Sequence, residues 1–167
     1  MSAEEVAADR DVEAAVAFLL RSTRARPQTE AEVRAKLLER GWDDEAASAA
    51  LGRGRELGAL DDAAFARAWV EDRGLGRGYG ASRLRRELTR RQVPDDLIDT
   101  AMHAVEQRDE EAVALELATE RAARLPSDLD PERLAGRLVG FLARRGYPEG
   151  LARRVALRAS GLDRRWD

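Results

Sequence analysis

Leu37-Leu38-Glu39-Arg40-Gly41-Trp42-Asp43-Asp44 holds the decisive pattern of this chain, because the sequence writes it twice more. The second copy is Leu88-Thr89-Arg90-Arg91-Gln92-Val93-Pro94-Asp95, and the third is Leu142-Ala143-Arg144-Arg145-Gly146-Tyr147-Pro148-Glu149. Four residues before each leading leucine stands another apolar residue (Val33, Leu84, Leu138), one helical turn upstream. Each copy then passes a basic residue and a turn, places an apolar residue, and starts a new helix. Four residues past Trp42, Val93 and Tyr147 come Ala46, Leu97 and Leu151, the spacing of a hydrophobic staple. The copies recur about every fifty residues, so the sequence predicts three tandem three-helix units.

Outward from these turns every periodic segment repeats at helical spacing, with no sustained two-residue alternation. Helices are expected over 12–24, 29–40, 44–56, 62–73, 82–91, 95–106, 110–124, 132–145 and 149–158. Thr29 with Glu32 three residues on makes a capping box, and Asp43, Asp61, Pro94, Pro131 and Pro148 stand where helices begin. Gly41, Gly58, Gly74 and Gly146 fall just past helix ends. The fold class is therefore all-α: three helix-turn-helix-like repeats (11–58, 59–108, 109–167) forming an elongated, curved body. An acidic, disordered N-terminus is expected over residues 1–10.

Composition narrows the function. Charged residues reach 37% against 5% aromatic, which implies a large solvated surface over a modest, small-residue core. Without cysteine there are no disulfides and no thiolate metal sites. The longest apolar stretches, such as Ala14–Leu20, are far too short to span a bilayer. The acidic start (Glu4, Glu5, Asp9, Asp11) is unlike a secretory signal, so a cytoplasmic location with no membrane partner is expected. Lys36 is the only lysine; the arginine bias is one a GC-rich coding sequence would also produce. A net charge of −3 argues against bulk electrostatic binding to nucleic acid. The charge is banded, however. Residues 73–91 carry seven arginines against Glu87, residues 92–120 carry nine acids against Arg108, and residues 132–165 carry nine arginines against three acids.

The segment from Leu57 to Met102 resembles the RecX family of regulatory proteins. Leu57-Gly58-Ala59-Leu60-Asp61-Asp62-Ala63-Ala64-Phe65-Ala66-Arg67 is similar to its signature, in which a Gly-x-Leu-Asp-Asp turn leads into a Phe-Ala-Arg helix. Arg73, the turn Gly78-Tyr79-Gly80, and the basic helix Arg83-Leu84-Arg85-Arg86-Glu87-Leu88 follow in family order, with Ile98 and Ala101 in the next helix. The resemblance marks Leu60, Asp61, Asp62, Phe65, Tyr79 and Gly80 as structural signature residues. The chain departs from the family at Gln92, where the middle repeat usually has glycine, and its first ten residues match nothing in the pattern. The resemblance implies three tandem three-helix repeats and a non-enzymatic regulator without cofactors. Such a regulator binds in the helical groove of the RecA filament and lowers its ATP hydrolysis and strand exchange. It would act in recombination, DNA repair and the SOS response.

Each motif has a plainer reading beside the functional one. Asp61-Asp62 resembles a carboxylate pair, yet Asp43-Asp44 and Asp95-Asp96 recur at equivalent helix starts, as capping predicts and a single active site does not. The run from Gly74 to Gly80 lacks the preceding strand and following Lys-Ser/Thr of a phosphate loop, so it is expected to be a flexible link anchored by Tyr79. It feeds the N-terminus of a basic helix, where backbone N–H groups can meet an anion.

That helix is the leading partner-binding or DNA-binding candidate. Arg83, Arg86 and Arg90 share a face, Arg85 and Arg91 flank it, and Arg73 and Arg77 lie upstream; the bland alternative is a solvated face neutralised by the acidic helices that follow. Arg144, Arg145, Arg153, Arg154 and Arg158 form a second basic candidate. His103 has no nucleophile or metal cluster in its motif, so no catalytic residue and no metal is expected. Trp42, Trp69 and Phe65 sit at core or staple positions, and Trp166 stands second from the end of the sequence. Three functions compete: a monomeric regulator of the RecA filament, touching single- or double-stranded DNA through the basic helix; a helix-turn-helix repressor; and a generic helical-repeat scaffold. The basic helix offers arginine but no Asn or Gln to read adenine, which counts against the repressor.

Overall fold

All three turns end their helices with one hydrogen-bond pattern. The apolar residue after each turn donates its N–H to the leading leucine's carbonyl: Trp42 to Leu37, Val93 to Leu88 and Tyr147 to Leu142, each at 3.2 Å. Inside it, Gly41 bonds Leu38 at 3.0 Å, Gln92 bonds Thr89 at 2.9 Å and Gly146 bonds Ala143 at 3.0 Å. These nested bonds are Schellman endings, which satisfy terminal carbonyls and need a left-handed residue at the turn. Gly41 and Gly146 take φ of 98° and 93°, and Gln92 takes 57° despite its Cβ. The leucines (Leu37, Leu88, Leu142) and the apolar residues one turn before them (Val33, Leu84, Leu138) are all fully buried.

The computed structural model describes residues 3–163, and among these every regular element is helical. In chain order they are α1 (Ala3–Ala25), α2 (Glu30–Glu39), α3 (Asp44–Glu56), α4 (Asp62–Trp69), a π-helical segment (Val70–Gly76), α5 (Ala81–Arg90), α6 (Asp95–Glu106), α7 (Glu110–Ala123), α8 (Pro131–Arg144) and α9 (Glu149–Ser160). Trp166 lies outside the described residues. No helix among them is long and apolar enough to cross a membrane.

α1 begins at Ala3, inside the stretch 1–10 where the sequence leads us to expect disorder. Its opening run Ala3-Glu4-Glu5-Val6-Ala7-Ala8 is rich in alanine and glutamate, both strong helix formers, and acids favour a helix's first turn. The helix expected over 62–73 leaves the α geometry at Trp69 and widens into π turns through Gly76. Gly74 lets this segment press close: a Cβ there would lie 2.9 Å from side-chain atoms of Leu84 and Val105.

Compactness divides the chain into two units, at places other than the expected repeat boundaries. The first comprises Met1–Arg67 with Leu88–Asp99, the second Ala68–Glu87 with Thr100–Asp167. In the first, Ala15, Leu19, Val33, Leu37, Ala47, Ala50, Leu51 and Leu60 form the core, with Phe18 and Trp42 packed against it. Their rings lie 5.7 Å apart. The expected caps are present: the Thr29–Glu32 capping box opens α2, Asp43 accepts from the Ala46 N–H at 2.8 Å, and Asp61 accepts from the Ala64 N–H at 2.8 Å. The Lys36 ammonium is held by the Gln28 side-chain oxygen. In the second unit the core is Ala114, Ala118, Leu138, Leu142, Tyr147, Ala152, Val155 and Ala156. Four of these eight are alanines, two from α7 and two from α9, packed with Leu138 and Leu142 of α8.

Candidate functional site

The basic stretch is shared between the units: Arg73, Arg77, Arg83, Arg85 and Arg86 belong to the second, Arg90 and Arg91 to the first. In the second unit most of these guanidinium groups are engaged by the chain itself. Arg83 donates through Nε to Glu87 Oε1 at 2.8 Å and through Nη1 to the Arg144 carbonyl at 2.9 Å, and it stacks 3.9 Å above the Tyr79 ring. Arg73 lies 3.4 Å over the Trp69 ring, and the indole Nε1–H donates to Glu87 Oε2 at 3.0 Å. Arg77 pairs with Asp72 at 3.1 Å and Arg85 with Glu106 at 3.2 Å. Arg86 differs: it is exposed, with no hydrogen bond or ion pair to another described residue.

The link from Gly74 to Gly80, expected to be flexible, is pinned at several points. The buried Tyr147 hydroxyl donates to the Gly78 carbonyl at 2.7 Å, and burial raises its pKa above the usual 10.0, which keeps the phenol a donor. Arg108 donates to the carbonyls of Gly74 and Tyr79 at 2.6 and 2.5 Å, and Arg145 to that of Arg77. The Gly80 N–H meets the Arg145 carbonyl at 2.8 Å, and the Ser82 hydroxyl meets that of Gly146 at 2.9 Å. A Cβ on Gly80 would come 2.5 Å from the Gly146 oxygen, so only glycine permits this approach. Tyr79 does not insert into the core; it is half-buried, with Arg83 over its ring and Arg145 at 5.5 Å. The anion seat expected at the start of α5 is already taken, because the Ala81 N–H donates to Glu110 Oε1 at 3.2 Å.

The second basic group divides likewise. Arg144 is exposed, and Arg145 stacks 4.8 Å from the Phe141 ring centre. Arg153 pairs with Glu149 at 3.3 Å, while Arg154 and Arg158 both reach Glu111, at 3.3 and 3.0 Å.

In the first unit Arg90 is exposed and without a partner among the described residues, whereas Arg91 pairs with Glu32 at 2.7 Å and lies 5.7 Å from the Phe65 ring centre. The signature residues here are structural. Leu60 fills the core, Asp61 caps its own helix, and buried Asp62 reaches across to accept the Glu30 N–H of α2 at 2.9 Å. Burial raises the Asp62 pKa, partly offset by that N–H, and the nearby charges of Glu30, Asp61 and Glu32 raise it further. Sequence reasoning did not find the roles of Asp62, Arg108, Glu110 and Tyr147. A signal for Arg108 was present, since it is the one arginine inside the acidic band. His103 is exposed on α6, and no group of three or more potential ligands among the described residues could hold a metal.

Models of the first and second RecX three-helix domains match residues 24–53 and 61–102. The regulatory protein RecX of Streptomyces coelicolor is 40% identical over 148 residues, covering 89% of this chain and 78% of that protein. The chain belongs to the RecX family. The RecX of Thermobifida fusca is 39% identical over 150 residues, covering 88% of this chain and 80% of its own. A crystal structure of RecX from Lactobacillus salivarius superposes with a TM-score of 0.73 at 16% identity, covering 90% of this chain and 97% of that one. A second crystal structure of a regulatory protein RecX gives 0.70 at 18%, covering 93% and 77%. At those identities the likeness establishes the RecX helical-repeat fold. The second-domain match spans α4, the π segment, α5 and most of α6, where the signature residues lie.

Proposed function

We propose that this chain is a regulatory protein that binds the RecA recombinase filament and restrains its ATP hydrolysis and strand exchange, acting in the cytoplasm on recombination, DNA repair and the SOS response. The observation that carries the proposal is the 40% identity across 89% of the chain to a protein named regulatory protein RecX. The geometry adds a choice of residues. A docking arginine must be free to trade water for a partner's carboxylate or phosphate, and an arginine already spent on internal bonds gains little by doing so. Arg86 in the second unit and Arg90 in the first are the members of the stretch that meet this condition. Arg83 instead is tied to Glu87 and to the Arg144 carbonyl, so its loss would confuse binding with folding.

Titrating the purified chain into RecA on single-stranded DNA should lower steady-state ATP turnover at ratios up to one per recombinase. Arg86→Glu and Arg90→Glu, each alone, should raise the dose needed while leaving helix content unchanged. Undiminished turnover at every dose would remove the regulator reading. Retardation of one duplex sequence at physiological salt, with RecA unaffected, would put a helix-turn-helix repressor in its place.

A further inference from the structure

Helices α7 and α8 of the second unit bound a cavity of about 180 Å³ lined by Leu117, Glu120, Arg121, Arg124, Phe141 and Arg145. Its chemistry is split. Leu117 and Phe141, both half-buried, supply an apolar floor, while Arg121 and Arg124 stand exposed at the rim. The Phe141 ring is flanked by two cations, Arg145 at 4.8 Å and Arg121 at 5.8 Å from its centre. Glu120 is the lone carboxylate of the lining and lies 3.9 Å from Arg124, so three guanidinium groups face one acid.

The size of the cavity falls below the ~300–1,000 Å³ that encloses a drug-sized ligand, and it suits one inserted side chain better than a small molecule. A nucleic-acid base would need an open aromatic face, and the guanidinium groups on Phe141 already occupy that role. Polypeptide satisfies both halves of the site: an apolar anchor for the floor and carboxylates for the rim.

We infer that this cavity docks an acidic peptide segment of a partner protein, which inserts one apolar side chain between Leu117 and Phe141 while its flanking carboxylates pair with Arg121 and Arg124. The site goes beyond the recombinase reading and stands whether or not RecA is the owner of the segment. The test uses the full chain and a fluorescein-labelled peptide with a central phenylalanine flanked on each side by three acidic residues, followed by anisotropy. Saturable binding on the order of micromolar, weakening with salt, is expected. Arg121→Glu with Arg124→Glu, both on exposed side chains, should weaken binding about tenfold at unchanged helix content, and so should serine in place of the peptide's phenylalanine. Absence of saturable binding overturns the inference, as does equal binding by the double variant or by the serine peptide. A labelled single-stranded oligonucleotide that outbinds the peptide, and loses its affinity in the same variant, would overturn it in favour of nucleic acid.

Discussion

Gln92 carries a Cβ where its two counterparts, Gly41 and Gly146, carry none, yet it holds φ at 57°. A left-handed residue with a side chain costs roughly 1–2 kcal/mol, and glycine gives back up to about 1 kcal/mol through its freer unfolded state. Gln92→Gly should therefore raise stability by about 0.5–1 kcal/mol, read as a higher urea midpoint at unchanged slope. Asp62 poses the opposite problem of a carboxyl whose ionisation is resisted by burial. Its folded pKa exceeds the unfolded one, so its contribution to stability falls as the pH rises above the usual 3.8 and through the raised value. Asp62→Asn keeps an acceptor for the Glu30 N–H and cannot ionise. Relative to the parent, it should be more favourable at pH 7 than at pH 4 by chemical denaturation, and a difference of the reverse sign would refute this account. The arginines split in the same way: Arg83→Ala should cost about 1–2 kcal/mol through its lost charge-assisted bond and ring contact, while Arg86→Ala should stay within about 0.5 kcal/mol.

Among the elements, the link before α5 matters most, because it is bound by backbone proximity. Gly80→Ala would push a methyl group into the Gly146 carbonyl, and the shift this forces should cost about 1–3 kcal/mol. Near-parental thermal stability for that variant would mean that the loop can retreat from the α8–α9 turn. The helices themselves were legible in the sequence, because caps, glycines and the Val33–Leu37, Leu84–Leu88 and Leu138–Leu142 pairs are local signals that survive without tertiary context. The π segment was not: the reason Gly74 must be small lies in Leu84 and Val105, which no window of periodicity sees. The same limit applied to the candidate site. Spacing placed Arg83, Arg86 and Arg90 on one face but could not show that Arg83 is bonded to a carbonyl sixty-one positions away.

At the scale of the molecule, the repeats of the sequence are not the compact bodies of the fold. Leu60 completes the first unit's core, Asp62 caps α2, and Arg91 pairs with Glu32 while its carbonyl receives the Thr29 hydroxyl at 2.9 Å. All three residues come after position 58, where the first repeat ends. A fragment of residues 1–58 should accordingly melt without a cooperative transition and with reduced helicity, whereas a sharp urea transition would show the first repeat to be self-sufficient. The sole lysine, Lys36, is tethered to Gln28 on the first unit, so amine-reactive cross-linkers have a single side-chain foothold on the whole protein. Mass-spectrometric mapping with such reagents would return Lys36 as the one side-chain anchor, beside whatever α-amino group is reactive. Carboxyl-activating or dicarbonyl chemistry, aimed at the acids and arginines that crowd the surface, is the route to trapping it with a neighbour.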